Sequence, residues 1–122
     1  MKLNFDAPEE RRILANGRVL VDVVRIGEVP VLRVTHAVGW RWSTHSAEDA
    51  KAATCGNVHV GVMISGRMMV RLREGSTIEL TAGDAFAIPA GHDAWTVGDE
   101  PAVLIQVDEG ASANQRYAAS MC

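Results

Sequence analysis

Short apolar segments, broken by glycine and proline, restrict the fold of this chain more than any other feature. After the turn at Asn16-Gly17 the sequence passes through eight runs rich in valine and isoleucine, and we predict a strand for each: 19–26, 31–38, 58–64, 68–73, 77–80, 85–88, 95–97 and 103–107. The segments between them leave no room for crossover helices, which excludes a parallel α/β architecture. The pattern therefore predicts an all-β sandwich or small barrel.

Alternation along several runs supports a sheet with one dry and one wet face. Val70 and Leu72 alternate with Arg71 and Arg73, for example. Helix is predicted in two places only. Residues 46–53 suit about two helical turns, and the capping-box pattern Asp6-Ala7-Pro8-Glu9 predicts a short N-terminal helical turn.

Length and charge limit the organisation and the partners. The 122 residues suit one domain, which we divide into an N-terminal arm (1–17), a β-barrel (18–110) and a C-terminal tail (111–122). The net charge of −3 offers no basic face for nucleic acid or an anionic membrane, and the longest uncharged run, 52–66, is too short to span a bilayer. Two cysteines and the charged N-terminus lead us to expect a cytoplasmic protein.

Two glycine-containing motifs resemble those of the cupin superfamily. Gly83 is followed by five residues, Pro89, one residue and Gly91, as in the second cupin motif, and Gly39 stands six residues before His45, as the first motif begins. Gly66 matches the glycine that closes the first motif. The resemblance implies a double-stranded β-helix, or jelly-roll barrel, with a ligand pocket at its mouth.

The same resemblance points to a metal site with a changed ligand set. His45 occupies the first histidine position, His59 replaces the acidic ligand, and His92 stands two residues before the third-histidine position, which Ala94 fills. We therefore predict that His45, His59 and His92 bind Zn²⁺, Fe²⁺, Ni²⁺ or Cu²⁺ near the barrel mouth. Candidates for a fourth ligand are Cys55, Glu48, Asp49 and Asp93. A lost or degenerate metal site is the alternative.

The remaining site predictions concern the walls of the pocket. Aromatic and sulfur side chains near these histidines suggest a small-molecule pocket, formed by Trp40, Trp42, Met63 and Trp95. His36, on the apolar face of its predicted strand, is interpreted as a core or interface histidine. Cys55 has no basic neighbour in sequence, so a small buried hydrophobe is the preferred interpretation for it.

Two functions from different classes remain open. One is a metal-dependent enzyme of the dioxygenase, isomerase or lyase type, with Asp93 or Glu48 as general base. The other is a non-catalytic module that binds or senses a small molecule. Because an unpaired N-terminal strand region is a liability, and because cupins often pair, we also predict a homodimer.

Overall fold

Two antiparallel sheets form the described part of the chain. The computed structural model describes residues 2–107, without the side chain of Asp49, so the predicted C-terminal tail and Cys122 lie outside it. The strands are β1 (Glu10–Leu14), β2 (Val19–Ile26), β3 (Val29–His36), β4 (His59–Ser65), β5 (Arg67–Arg71), β6 (Thr77–Thr81), β7 (Ala85–Ile88), β8 (Asp93–Val97) and β9 (Ala102–Val107). One sheet has the order β1-β2-β3-β9-β4-β7 and the other β6-β5-β8.

The core lies between the inner faces of the two sheets. Alternate residues of β2 and β3, such as Val21, Val23, Leu32 and Val34, point inward from the large sheet and are almost fully buried. The small sheet contributes another set of buried residues: Met68, Val70, Leu80 and Ala94. The all-β class predicted from the spacing of the apolar runs, a sandwich or small barrel, is confirmed.

The eight predicted strands correspond to β2 to β9, with ends displaced by up to two residues. The sequence did not predict β1, because Glu10-Arg11-Arg12 reads as a solvated end. The strand forms because these charges have partners: Arg11 bonds Asp22 on β2, and the Glu9 carboxylate accepts the backbone N–H of Arg25. Charged side chains are ordinary on an exposed edge strand.

The helical segments among residues 2–107 are short and lie partly elsewhere than predicted, and one of them is a 3-10 turn at Ala15–Gly17. Residues 4–7 form a turn in which Ala7 N–H donates to the carbonyl of Asn4, so the predicted N-terminal helical turn is wrong. In the body, a π-helical turn (Trp42–Ser46) leads into helix α1 (Ala47–Ala50), which ends at Lys51 with a φ of 54°. No described helix has the length and apolar character needed to cross a membrane.

Candidate metal centre

A small cavity inside the barrel brings three histidines together. His36 reaches it from β3, His59 from β4, and His92 from the residue just before β8. Trp40 and Trp42 line it as well, together with apolar residues of both sheets. The cavity volume is about 40 Å³, which is room for roughly two or three water molecules. Only a small ligand therefore fits inside the closed barrel.

Three potential metal donors converge at one side of this cavity. Cys55, His59 and His92 are all buried, and one donor atom of each lies within 4.8 Å of the others. Cys55 Sγ lies 3.3 Å from His59 Nε2. The His59 and His92 rings meet edge to face with their centroids 5.1 Å apart. The Cys55 sulfur is in a disulfide bond in this structure. A tetrahedral zinc ion separates a nitrogen and a sulfur ligand by about 3.5 Å, so the spacing of Cys55 and His59 would fit such an ion once the sulfur is reduced.

The backbone holds Cys55 and His92 side by side. Cys55 N–H donates to the carbonyl of His92 at 3.0 Å, and Gly91 N–H donates to the carbonyl of Cys55 at 2.7 Å. This short antiparallel bridge joins the loop before β4 to the turn before β8. Gly91 has a φ of 91°, which L side chains rarely adopt, so glycine suits the turn that presents His92.

A hydrogen bond to the backbone orients the His92 ring. His92 Nδ1 lies 2.7 Å from the carbonyl oxygen of Pro89. Since a carbonyl only accepts, Nδ1 carries the proton, and Nε2 of the neutral ring keeps its lone pair. A backbone carbonyl that fixes the tautomer in this way is the usual partner of a metal-bound histidine.

Burial keeps the cavity histidines neutral. Together with the neighbouring His92 and His36, it lowers the pKa of His59 to about 3. It lowers the pKa of His36 to about 4, against an opposing hydrogen bond with the Ala102 backbone. Burial also lowers the pKa of His92, while Pro89 and Asp93 act in the opposite direction. Neutral imidazole is the form that binds a metal.

Polar atoms elsewhere in the cavity suit a small polar ligand. Among the described residues, His36 Nδ1 and Trp42 Nε1 are buried without a hydrogen-bond partner in the protein. Both residues line the cavity. Buried polar groups are normally satisfied, by ordered water or ligand where protein partners are lacking. The cavity is therefore suited to a polar occupant rather than a purely apolar one.

The structure does not bring His45 into this group. His45 lies in the π-helical turn, where its Nδ1 accepts the backbone N–H of Arg41 at 3.0 Å, and it does not line the cavity. The turn folds the imidazole back onto its own backbone. Cys55, considered in the sequence only as a fourth ligand, stands with His59 and His92 instead.

The predicted pocket residues divide into two pairs. Trp40 and Trp42 line the cavity, although neither lies on a strand as their alternate spacing suggested. Met63 is buried in the core and Trp95 points outward, and neither is among the lining residues. Trp95 alternates with the buried Ala94 and Thr96 on β8. The Arg41 guanidinium stacks on its ring, with Cζ 4.2 Å from the ring centroid.

The two predicted general bases lie away from the cavity. Asp93 begins β8 and is buried, but its carboxylate accepts hydrogen bonds from Arg41 and Ser43 outside the barrel. Glu48 is exposed on helix α1. No aspartate or glutamate lines the barrel cavity within the described part of the chain.

Sequence reasoning gave little weight to Cys55 as a ligand and none to His36 as a cavity residue. His36 follows Leu32 and Val34 on the inner face of β3, so its alternation already placed it on the cavity side, as a buried histidine packed against Trp40. Cys55 gave no such signal, because it lies in a loop and meets His92 through contacts between residues far apart in sequence.

Comparisons with solved structures identify the architecture. A cupin-superfamily sugar phosphate isomerase from Silicibacter pomeroyi superposes with a TM-score of 0.62 at 20% identity, over 88% of this chain and 74% of that one. A Klebsiella pneumoniae protein with a double-stranded β-helix domain gives 0.53 at 20% identity, over 75% and 76% of the two chains. The chain has the cupin fold.

A third cupin-like neighbour is KdgF from Halomonas sp., with a TM-score of 0.58 at 15% identity over 81% of this chain and 84% of that one. Neither the sequence models of protein families nor the curated proteins give a match to the chain. Identities this low establish the cupin fold alone. The cupin barrel nevertheless explains why the histidines meet, since both predicted motifs deliver side chains to its interior.

Proposed function

We propose that this cupin binds one divalent transition-metal ion through Cys55, His59 and His92. The observation that carries the proposal is the convergence of these three buried donors beside a His92 ring whose tautomer is fixed by Pro89. Cys55 is disulfide-bonded in this structure and would bind as the thiolate, so occupancy requires reduction of that disulfide. The set differs from the predicted one by the exchange of His45 for Cys55.

The donor set favours some metals over others. Two imidazoles and one thiolate suit Zn²⁺ best, with copper and nickel next, whereas Mg²⁺ and Ca²⁺ require oxygen ligands. Three protein donors leave a fourth tetrahedral position for a water molecule or a small ligand. Bound there, the ion supplies Lewis-acid chemistry. Fe²⁺ fits less well, because its familiar sites contain a carboxylate.

The cavity supports a small polar ligand beside the metal. His36 Nδ1 would accept a hydrogen bond from such a ligand, and Trp42 Nε1 would donate one. A volume of about 40 Å³ is far below what a sugar phosphate needs, since pockets for organic ligands run to several hundred Å³. The isomerase activity of the Silicibacter neighbour is therefore not part of the proposal.

The choice between enzyme and binding module depends on the missing carboxylate. Among the described residues lining the cavity there is none to act as general base, so proton transfer would fall to His36 or to a metal-bound water. The missing carboxylate favours a metal-containing module that binds a small ligand without turnover. The open coordination position supports the alternative, a metal-dependent reaction of that ligand.

Cobalt substitution tests the ligand set directly. Reduced protein is stripped with a chelator and titrated with Co²⁺, then with Zn²⁺ in competition. We expect one equivalent of tightly bound ion, with a thiolate-to-cobalt charge-transfer band and the strong visible bands of tetrahedral Co²⁺. Cys55→Ser should lose the charge-transfer band, and His92→Ala should lose tight binding.

Two matched controls accompany these variants. Cys122→Ser removes the other cysteine, and His45→Ala removes the other predicted ligand; both should bind Co²⁺ as the wild type does. Loss of binding in His45→Ala with retention in Cys55→Ser would return the site to the sequence-based set. Binding of less than about a tenth of an equivalent by the reduced wild type would refute the metal proposal.

We also propose that the chain pairs with a second copy through the outer face of β4. Val58, Val60, Val62 and Ile64 alternate along this segment, and all are exposed. Val60 lies beside Val107 and Ala87, and Val62 beside Ile105 and Ala85, so the uncharged face continues onto β9 and β7. The predicted route to dimerisation, an uncovered strand 19–26, is wrong, because β1 pairs with β2.

A further inference from the structure

A cluster of arginines surrounds Asp93 on the outside of the barrel. Asp93 Oδ2 lies 3.2 Å from Arg41 Nη2 and 3.7 Å from Arg71 Nη2. The same carboxylate accepts the Ser43 hydroxyl at 2.8 Å and the backbone N–H groups of Ser43 and Ala94. Its hydrogen-bonding capacity is therefore largely occupied, and only one negative charge is available to the cluster.

A third arginine adds to this local positive charge. The Arg73 guanidinium lies against Gly91, close enough that a Cβ at Gly91 would meet Arg73 Nε at 2.4 Å. Within the described part of the chain, no carboxylate pairs with Arg73. Arg41 and Arg71 share the single Asp93 carboxylate and Arg73 lies nearby, so positive charge is in excess here. This excess stands out in a chain whose net charge is −3.

Two of these arginines line a separate cavity. Arg71, Arg73, Ser43, Thr54 and Asp93 surround a volume of about 220 Å³ that opens to solvent. Guanidinium groups bind phosphate through paired hydrogen bonds, and the Thr54 hydroxyl offers another donor. We propose that this outer cavity is a binding site for a phosphate group, whose negative charge Arg71 and Arg73 attract.

This phosphate site is distinct from the proposed metal centre. The two cavities share no lining residue, and residues 91–93 separate them: His92 lines the inner cavity, while Gly91 and Asp93 line the outer one. The proposal therefore does not depend on a metal. The Cys55→Ser variant, expected to lose the metal, should still bind phosphate, so the two proposals can fail separately.

Titration with inorganic phosphate, followed by the amide NMR signals of Gly75 and Gly91, tests the site. Both glycines border the arginine cavity. We expect saturable shifts of these signals with a Kd near millimolar, as suits a partly exposed ionic site, and weaker binding at higher salt. Arg73→Gln and Arg71→Gln should each weaken binding by about fivefold.

The matched control is Arg18→Gln. The exposed Arg18 side chain bonds the Ala15 carbonyl and, among the described residues, makes no ion pair, so this variant changes the net charge equally without touching the cavity. It should bind phosphate as the wild type does. Equal weakening in Arg18→Gln and Arg73→Gln would overturn the proposal, as would unchanged Gly75 and Gly91 signals at about 10 mM phosphate.

Two further ligands define the chemistry. Acetate carries less charge and fewer acceptor oxygens and should bind several-fold more weakly than phosphate; equal affinity would show a site without preference for phosphate and refute the proposal. Glycerol 2-phosphate distinguishes the source of the phosphate. Tighter binding than inorganic phosphate would indicate a phosphorylated small molecule, and equal binding would indicate free phosphate.

Discussion

Acid should unfold the metal-free protein largely through its buried histidines, and His36 provides the clearest test. Its imidazole is 7% exposed and its pKa in the folded state is about 4. In the unfolded chain the ordinary value of 6.5 returns. Above pH 6.5 both states hold His36 neutral, so it has no effect on the pH dependence of stability there.

Between pH 6.5 and pH 4 the two states differ. The unfolded chain takes up a proton on His36 and the folded chain does not, so stability falls as the pH falls. The two pKa values lie about 2.5 apart, which corresponds to about 3 kcal/mol at 1.36 kcal/mol per pKa unit. Below pH 4 both states are protonated and this loss becomes constant.

The assay is urea denaturation at pH 7 and at pH 4, in chelator, of wild type and His36→Leu. Between pH 7 and pH 4 the free energy of unfolding should fall by about 3 kcal/mol less in the variant than in the wild type. Comparing each protein with itself cancels the packing cost of the substitution. His45→Leu, which removes an imidazole outside the cavity, should keep the wild-type dependence. A pH dependence in His36→Leu within about 1 kcal/mol of the wild type would refute the reasoning.

Three further outcomes test other parts of the structure. Val62→Lys, on the apolar outer face of β4, should convert a dimer to a monomer in light scattering, whereas a monomeric wild type would contradict the pairing proposal. Gly61→Ala should cost about 1–3 kcal/mol in urea denaturation, because its Cβ would lie 2.0 Å from the Ile105 carbonyl oxygen, while Gly56→Ala, with open space, should be neutral. His59→Glu should retain a metal and shift the preference toward iron or manganese, as competition titrations would show.

The barrel could be predicted because its information is local. Each strand is a short apolar run with alternation and a turn residue at its end, and such signals hold wherever the strand docks. The exceptions follow the same logic. β1 is defined by Arg11 meeting Asp22 on a neighbouring strand, and a pairing of that kind leaves no pattern within residues 10–14.

The proposed metal centre illustrates what local signals leave open. His59 and His92 were singled out by their positions in the cupin-like motifs, and both lie on or beside strands that direct them into the cavity. His45 and Cys55 lie in irregular segments, where no period determines the direction of a side chain. The Arg41 backbone N–H holds the His45 ring by a hydrogen bond to Nδ1. The backbone hydrogen bonds of Cys55 with His92 and Gly91 place Cys55 beside His92. The position of Cys55, the third proposed ligand, therefore depends on backbone hydrogen bonds rather than on its place in a sequence motif.

The two sides of residues 91–93 show how one segment can serve two sites. Gly91 adopts the positive φ of the turn. The His92 side chain points inward to Cys55 and His59, and the Asp93 side chain points outward to Arg41. A carboxylate next to a histidine ligand suggested a general base in the sequence. In the fold Ser43, Ala94, Arg41 and Arg71 hold its carboxylate outside the barrel, so Asp93 orders the guanidinium groups and does not reach the proposed metal site.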